Sequence, residues 1–257
     1  MDQKIIYCNC GGGIIDENIK KKTLDLITGL AIEKVKLEDL CGLCATQKED
    51  IKNLLSTSSN TLIVACHPRA VKLLLNYAGV HSLDKLSFID LCASDGFSTL
   101  ENLDKYENVP ENSNPITEIK TNTDWPAWYP VLDYSRCTAC GQCADFCLFG
   151  VYEKRDGIVE VVNPSGCKNN CPACARICPY VAIVFPKYLQ GGAIGGSDSF
   201  DEVLEQNRQL EDMNQLLGGD IYQALGQRKA KRQSIIKDEA LKRAMEERNM
   251  ALKENKK

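Results

Sequence analysis

The chain has 257 residues, 44% of them hydrophobic and 26% charged, with 14 cysteines and a formal net charge of -4. That length suits one large or two modest domains with appendages, and no apolar run approaches the roughly 20 residues of a membrane span. Residues 228–257 carry 11 Lys or Arg against 5 Asp or Glu, so the rest of the chain stands near -10, an acidic body that excludes a nucleic-acid footprint over the folded part.

Met1-Asp2-Gln3-Lys4-Ile5 lacks the basic, apolar and small-residue order of a signal peptide. So many cysteines without such a segment point to a reducing, cytoplasmic setting in which thiols stay free for metal. Residues 4–8 read as a buried strand followed by the turn Gly11-Gly12-Gly13. Residues 16–30 carry apolar side chains at Ile19, Leu24, Ile27 and Leu30, a helix closed by Gly29. A second strand over 33–37 and a second helix over 47–55 follow. Residues 61–66 form the clearest strand, Pro68 opens a helix that Gly79 ends, and residues 87–91 make a fourth strand. The order β-α-β-α-β-α-β implies an α/β domain over 1–106 with a mostly parallel four-stranded sheet and right-handed crossovers. The glycine turn is not G-x-G-x-x-G, so no dinucleotide site is expected.

The six cysteines of this half fall at one edge. Cys8 and Cys10 end the first strand, Cys41 and Cys44 follow the second, Cys66 ends the third and Cys92 follows the fourth. These are the carboxyl ends of a parallel sheet, where such folds bind ligands. A buried Cys taken alone is a small hydrophobe, but cysteines placed for packing would also fall within strands and on helices. Convergence on one rim points to a metal site, with two cysteines to spare, or to a redox-active thiol pair without iron. His67 is a ligand, a proton carrier or a helix cap; His81 lies in a loop; Arg69 either sets positive charge beside a cluster or faces solvent.

Cys8-Asn-Cys10-Gly11, a Cys near Leu40 before a helix, Val64-Ala65-Cys66-His67-Pro68-Arg69 and Ile89-Asp90-Leu91-Cys92 together resemble the N-terminal domain of the heterodisulfide reductase A subunit. The likeness covers about residues 4–95. His67 stands where that family has Ser, Cys44 is additional, and the flavin-binding body is absent. The resemblance implies a third [4Fe–4S] cluster on Cys10, Cys41, Cys66 and Cys92, with Cys8 and Cys44 as alternates.

Residues 107–124 are polar, with Pro110 and Pro115, and read as an interdomain linker. Trp125-Pro-Ala-Trp128-Tyr129-Pro130 reads as packing for the module it precedes, or as a docking surface for a partner. That module, residues 125–190, carries Cys137-x2-Cys140-x2-Cys143-x3-Cys147 and then Cys167-x3-Cys171-x2-Cys174-x3-Cys178. A C-x2-C-x2-C-x3-C run used twice resembles the bacterial two-cluster ferredoxins, in which the fourth Cys of each run serves the other cluster. One [4Fe–4S] cluster is thus assigned to Cys137, Cys140, Cys143 and Cys178, the other to Cys147, Cys167, Cys171 and Cys174. Structural zinc would want two separated pairs per ion rather than two triplets with a lone Cys each, and disulfides are not expected in a reducing compartment. Residues 151–162 form a hairpin around Asp156-Gly157. Leu148 follows one run where Pro179 follows the other, which makes the two cluster environments unequal.

The glycines of residues 191–197 read as a flexible hinge and residues 199–202 as a capping box. A helical tail follows, with a break at Gly218-Gly219, a second helix from Asp220 and a charged end from Arg228. The fold class expected is α/β plus an α+β ferredoxin-like two-cluster module and a helical tail over 191–257. The function expected is single-electron transfer as a subunit or shuttle of a larger oxidoreductase, docked to its redox partner through the tail. The rivals are a thiol–disulfide reductase using Cys41-Gly-Leu-Cys44 and a redox sensor whose basic tail binds a regulatory partner. No catalytic Ser-His-Asp arrangement or phosphate loop is present.

Overall fold

The computed structural model describes residues 3–30, 32–56, 60–101 and 115–217. Residues 1–210 form one compact unit and residues 211–257 a second. The expected break at Gly218-Gly219, the helix from Asp220, the charged end and residues 107–114 of the expected linker lie outside the described residues.

The N-terminal half runs β1 (Gln3–Cys8), α1 (Glu17–Gly29), β2 (Glu33–Leu37), α2 (Leu40–Thr46), α3 (Lys48–Ser56), β3 (Asn60–Ala65), α4 (Pro68–Tyr77), β4 (Leu86–Asp90) and α5 (Gly96–Glu101). Asp16 starts α1 by accepting the Asn18 amide at 2.8 Å, and Pro68 sits in the first turn of α4, where its missing N–H costs nothing. The sheet has five parallel strands in the order β4-β3-β1-β2-β5, not four. The extra strand, β5 (Thr117–Ile119), comes from the stretch read as a linker and pairs with β2, Val35 opposite Thr117. Lys36 and Glu118 on this pair meet at 2.9 Å. Ile5 to Cys8 and Leu62 to Ala65 are buried without alternation, as expected of strands covered on both faces. Strand order reverses at β1, which leaves a crevice between the carboxyl ends of β1 and β3.

The helix expected over 47–55 is α3, and a further helix, α2, precedes it. Asp39 accepts the Cys41 amide at 3.3 Å and caps α2, so Cys41 and Cys44 lie on a helix rather than in the loop before one. The α3 helix then starts at Lys48.

The C-terminal half runs β6 (Val131–Leu132), α6 (Gln142–Phe146), β7 (Tyr152–Arg155), β8 (Ile158–Val161), α7 (Ala173–Arg176), β9 (Ile183–Val184), α8 (Gly192–Gly195) and α9 (Glu202–Leu217). β6 pairs antiparallel with β9, and β7 with β8 through the expected Asp156-Gly157 turn, both residues at positive φ. The expected hinge is instead a packed corner: Ala193 and Ile194 are buried, and the Phe185 amide donates to the Ile194 carbonyl at 2.7 Å. Gly196, at φ 89°, lies so close to α4 that a Cβ there would sit 2.6 Å from Ala70 Cβ. The cap of α9 is Asp201, which accepts the Leu204 amide at 2.9 Å, rather than Ser199.

Three long-range ties join the halves within the 1–210 unit. Tyr129 donates to the Cys41 carbonyl at 2.7 Å, so the aromatic segment seals the N-terminal half as well as its own, where Trp128 stacks on Phe185. Lys187 pairs with Asp39. Arg69 faces neither a cluster cysteine nor solvent. From α4 it reaches Asp133 at 3.2 Å, the Val181 carbonyl at 3.0 Å and the Ala193 carbonyl at 3.1 Å. Phe200 lies against both Arg69 and Arg136. Among the described residues no helix is long and apolar enough to cross a membrane.

Candidate metal centre

All fourteen thiols are free. In the N-terminal half, Cys8 ends β1 and Cys10 follows it, Cys41 and Cys44 lie on α2, Cys66 follows β3 and Cys92 follows β4, all beyond the carboxyl ends of the strands or at them. They divide by their neighbours. Burial and then Cys10, Cys8 and Cys92 nearby push the Cys66 thiol well up. Cys41 is raised by burial and Asp39, with Cys10 and Cys66 adding to it. Burial, Asp90 and Cys10 push Cys92 up to about 12. Cys10, Cys41, Cys66 and Cys92 thus share one locality, and each bears on at least two of the others. Cys44 instead lies against Cys8, which with burial raises it. Cys8 lines a small apolar cavity with Ile6, Leu37, Ile51 and Leu75 and accepts the Leu40 amide at 3.4 Å. Cys44 packs in the core beneath the edge, while Cys8 borders both groups, with Cys10 and Cys66 also among its neighbours.

Local structure aims the first four. Cys10 takes φ 42°, which turns the chain back over the sheet edge, and the buried Lys20 ammonium donates to its carbonyl at 2.8 Å. Cys66 ends β3 just before the Pro68 turn. Asp90 holds Cys92 by accepting its amide at 2.8 Å. Asp90 also bonds His67 Nδ1 at 2.8 Å, and one ligand atom from each of His67, Asp90 and Cys92 lies within 4.8 Å of the others. Burial works to raise the Asp90 carboxyl, but the His67 hydrogen bond and the Cys92 amide outweigh it and hold it below the usual range. His67 is at the cap position of α4 without capping it. His81 bonds the Asn76 side chain on the surface.

In the C-terminal half the eight cysteines divide into two quartets. Cys137, Cys140, Cys143 and Cys178 line a single pocket with Leu132, Val159 and Ile183. Burial, Cys178, Cys137 and Cys140 push Cys143 up to about 12. Across from it, burial, Cys147 and Cys171 push Cys167 up to about 12, while Cys174 feels Cys167, Cys143 and Cys147. Ala139, Gly141 and Asn170 take positive φ within the two loops, which tightens the chain between successive cysteines. Tyr152, buried beside Cys174 and Cys143, donates to Cys174 Sγ at 3.1 Å. A buried quartet of thiols is costly to ionise on its own and is relieved by metal. Four thiols around one apolar-walled pocket fit a four-iron cubane.

Residues 129–195 match the family model of the 4Fe-4S dicluster domain. Over 61 residues the chain is 46% identical to an uncharacterized ferredoxin of Methanocaldococcus jannaschii, an overlap that takes in 23% of this chain and 42% of that protein. Over 64 residues it is 35% identical to the ketoisovalerate oxidoreductase subunit VorD of Pyrococcus horikoshii, covering 24% of this chain and 60% of that protein. The chain therefore spans less than two thirds of either relative. No solved structure matches it. Residues 129–195 are thus similar to iron–sulfur, ferredoxin-type domains, and the match leaves the N-terminal sheet outside it.

Several residues of these sites carry no sequence motif. Asp39 is legible in retrospect as a cap before Leu40. Lys20, Asp90, Tyr152 and Lys187 reach their cysteines only through the fold.

Proposed function

We propose that the chain is an electron-transfer subunit or shuttle of a larger oxidoreductase, with three four-iron clusters. Cys137, Cys140, Cys143 and Cys178 hold one, Cys147, Cys167, Cys171 and Cys174 the second, and Cys10, Cys41, Cys66 and Cys92 the third. Each bound cluster supplies a one-electron couple, and the protein sets distances, burial and hydrogen bonds to sulfur. The observation that carries the third site is the gathering of four thiols from four different strand ends at the crevice between β1 and β3. The resemblance to the heterodisulfide reductase A subunit supports it, and the name of the Pyrococcus relative supports an oxidoreductase complex. A dithiol reaction at Cys41 and Cys44 has the burial against it: both thiols are at most 5% exposed and raised, whereas an attacking thiol needs access and a lowered pKa.

Iron and acid-labile sulfide per chain, measured on anaerobically purified protein, test this. About twelve irons support three clusters. About eight would remove the third and return the N-terminal half to a thiol domain.

Tyr152→Phe adds a finer expectation. Loss of the O–H to Cys174 Sγ disfavours the reduced, more negative state by on the order of 1 kcal/mol, so the midpoint of the centre held by Cys174 moves to lower potential. An EPR-monitored titration reads this against the other centres. A midpoint that stays in place would show that the hydroxyl does not bond the ligating sulfur.

A further inference from the structure

We propose that Lys187 is a charge-setting residue of the N-terminal cysteine site, a cation delivered from the dicluster half to offset the carboxylate that caps the helix carrying Cys41. This deepens the three-cluster reading and rests on it.

The geometry starts with Asp39. It must sit at the start of α2, because its carboxylate accepts the Cys41 amide. That capping places a buried negative charge beside thiols that would themselves be anionic when they hold metal. Lys187 answers it. Its side chain is 7% exposed, and its Nζ lies 2.5 Å from Asp39 Oδ2 and 2.8 Å from the Pro126 carbonyl. Through Asp39, which holds the Cys41 amide, and along Gly12, two residues beyond Cys10, the ammonium is set beside the same site as the carboxylate and with the opposite charge.

The path of the side chain is built for this reach. Its stem crosses Gly12, two residues beyond Cys10, where an added Cβ would stand 2.7 Å from Lys187 Cγ. Any other residue at Gly12 would push the stem aside.

A bland account makes the pair a strut between the halves. A strut does not need charge, since well-packed apolar residues of similar volume commonly replace a buried ion pair without loss. What charge adds is a field of opposite sign from each partner at the same thiols. The two accounts differ in sign, and that can be measured.

The experiment compares the full chain with Lys187→Met, Lys187→Arg and Asp39→Asn, all purified anaerobically, by iron content and EPR-monitored redox titration. Asn keeps the cap of α2 while removing its charge. At the potential that half-reduces the wild-type N-terminal centre, Lys187→Met should lower its reduced-to-oxidised ratio about tenfold, ~59 mV for one electron. Asp39→Asn should raise the ratio, Lys187→Arg should leave it near the wild-type value, and the dicluster centres should stay in place. Shifts of the same sign in Lys187→Met and Asp39→Asn, or no shift in either, would overturn the inference and leave a strut. If Lys187→Met does not fold, Asp39→Asn decides alone: a raised ratio supports the inference and an unchanged one overturns it. A wild-type chain with about eight irons fails the three-cluster reading at the outset and takes this inference with it. Twelve irons without the opposed shifts sink the inference alone.

Discussion

Cys66→Ala is expected to take iron from about twelve to about eight per chain, with the eight of the dicluster half retained, whereas Cys44→Ala keeps about twelve. Both thiols are buried, 6% and 0% exposed, so both variants lose similar packing, about 1–2 kcal/mol for a small void. They differ in neighbours. Cys66 lies among Cys10, Cys8 and Cys92 at the crevice, while Cys44 lies against Cys8 beneath the edge. Removing one of four ligands leaves an open iron that the remaining three hold poorly; removing a core thiol leaves the quartet whole. Iron analysis alongside EPR of the reduced protein reads the difference. Loss of iron in Cys44→Ala, with none in Cys66→Ala, would transfer the ligand role to the deeper pair.

Arg69→Met should cost the 1–210 unit about 3–5 kcal/mol, the range for breaking a buried ion pair from one side. The Arg69 and Asp133 side chains are only 12% and 13% exposed, so water replaces little of what is lost. Beyond Asp133, the variant removes the Arg69 donor from the Val181 carbonyl and one of two donors from the Ala193 carbonyl, which keeps the Gly196 amide. Arg136 stands 3.9 Å from Asp133 and recovers part of the loss, which favours the lower end of the range. At about 2–4 °C per kcal/mol for a unit of this size, thermal unfolding should move down by roughly 6–12 °C. Arg69→Lys should recover little, because an ammonium cannot span three acceptors in the directions that a guanidinium fork covers. A shift of under about 2 °C for Arg69→Met would mean that this ion pair adds little to the hold between the halves.

The parts of this molecule written in fixed local spacing were legible. The two cysteine runs mark out the segment that matches the dicluster domain, and the βα order predicts the parallel sheet that the fold has. What the residues hid was decided by pairing over distance. Thr117–Ile119 is three residues long in a polar, proline-bearing stretch, and becomes a strand only because β2 offers it an open edge. Gly191 to Gly196 has the composition of a hinge, yet glycine also permits close approach, and here α4 lies where side chains would have been. Cys41 and Cys44 seemed loop residues because metal-binding cysteines so often are; the cap at Asp39 makes them helical. Lys187 carries no local signal at all, since its partner lies 148 residues away.

That separation also orders the birth of the protein. Cys10 leaves the ribosome first, yet the chain must grow to Lys187 before the cation beside Cys10 exists, roughly 9–35 s later at ordinary rates of synthesis. The strand that closes the sheet beside β2 and the tyrosine that bonds the Cys41 carbonyl also arrive late. The nascent N-terminal half therefore holds its thiols without the Tyr129 hydrogen bond to Cys41 and without the Lys187–Asp39 pair until the second half of the chain has been made.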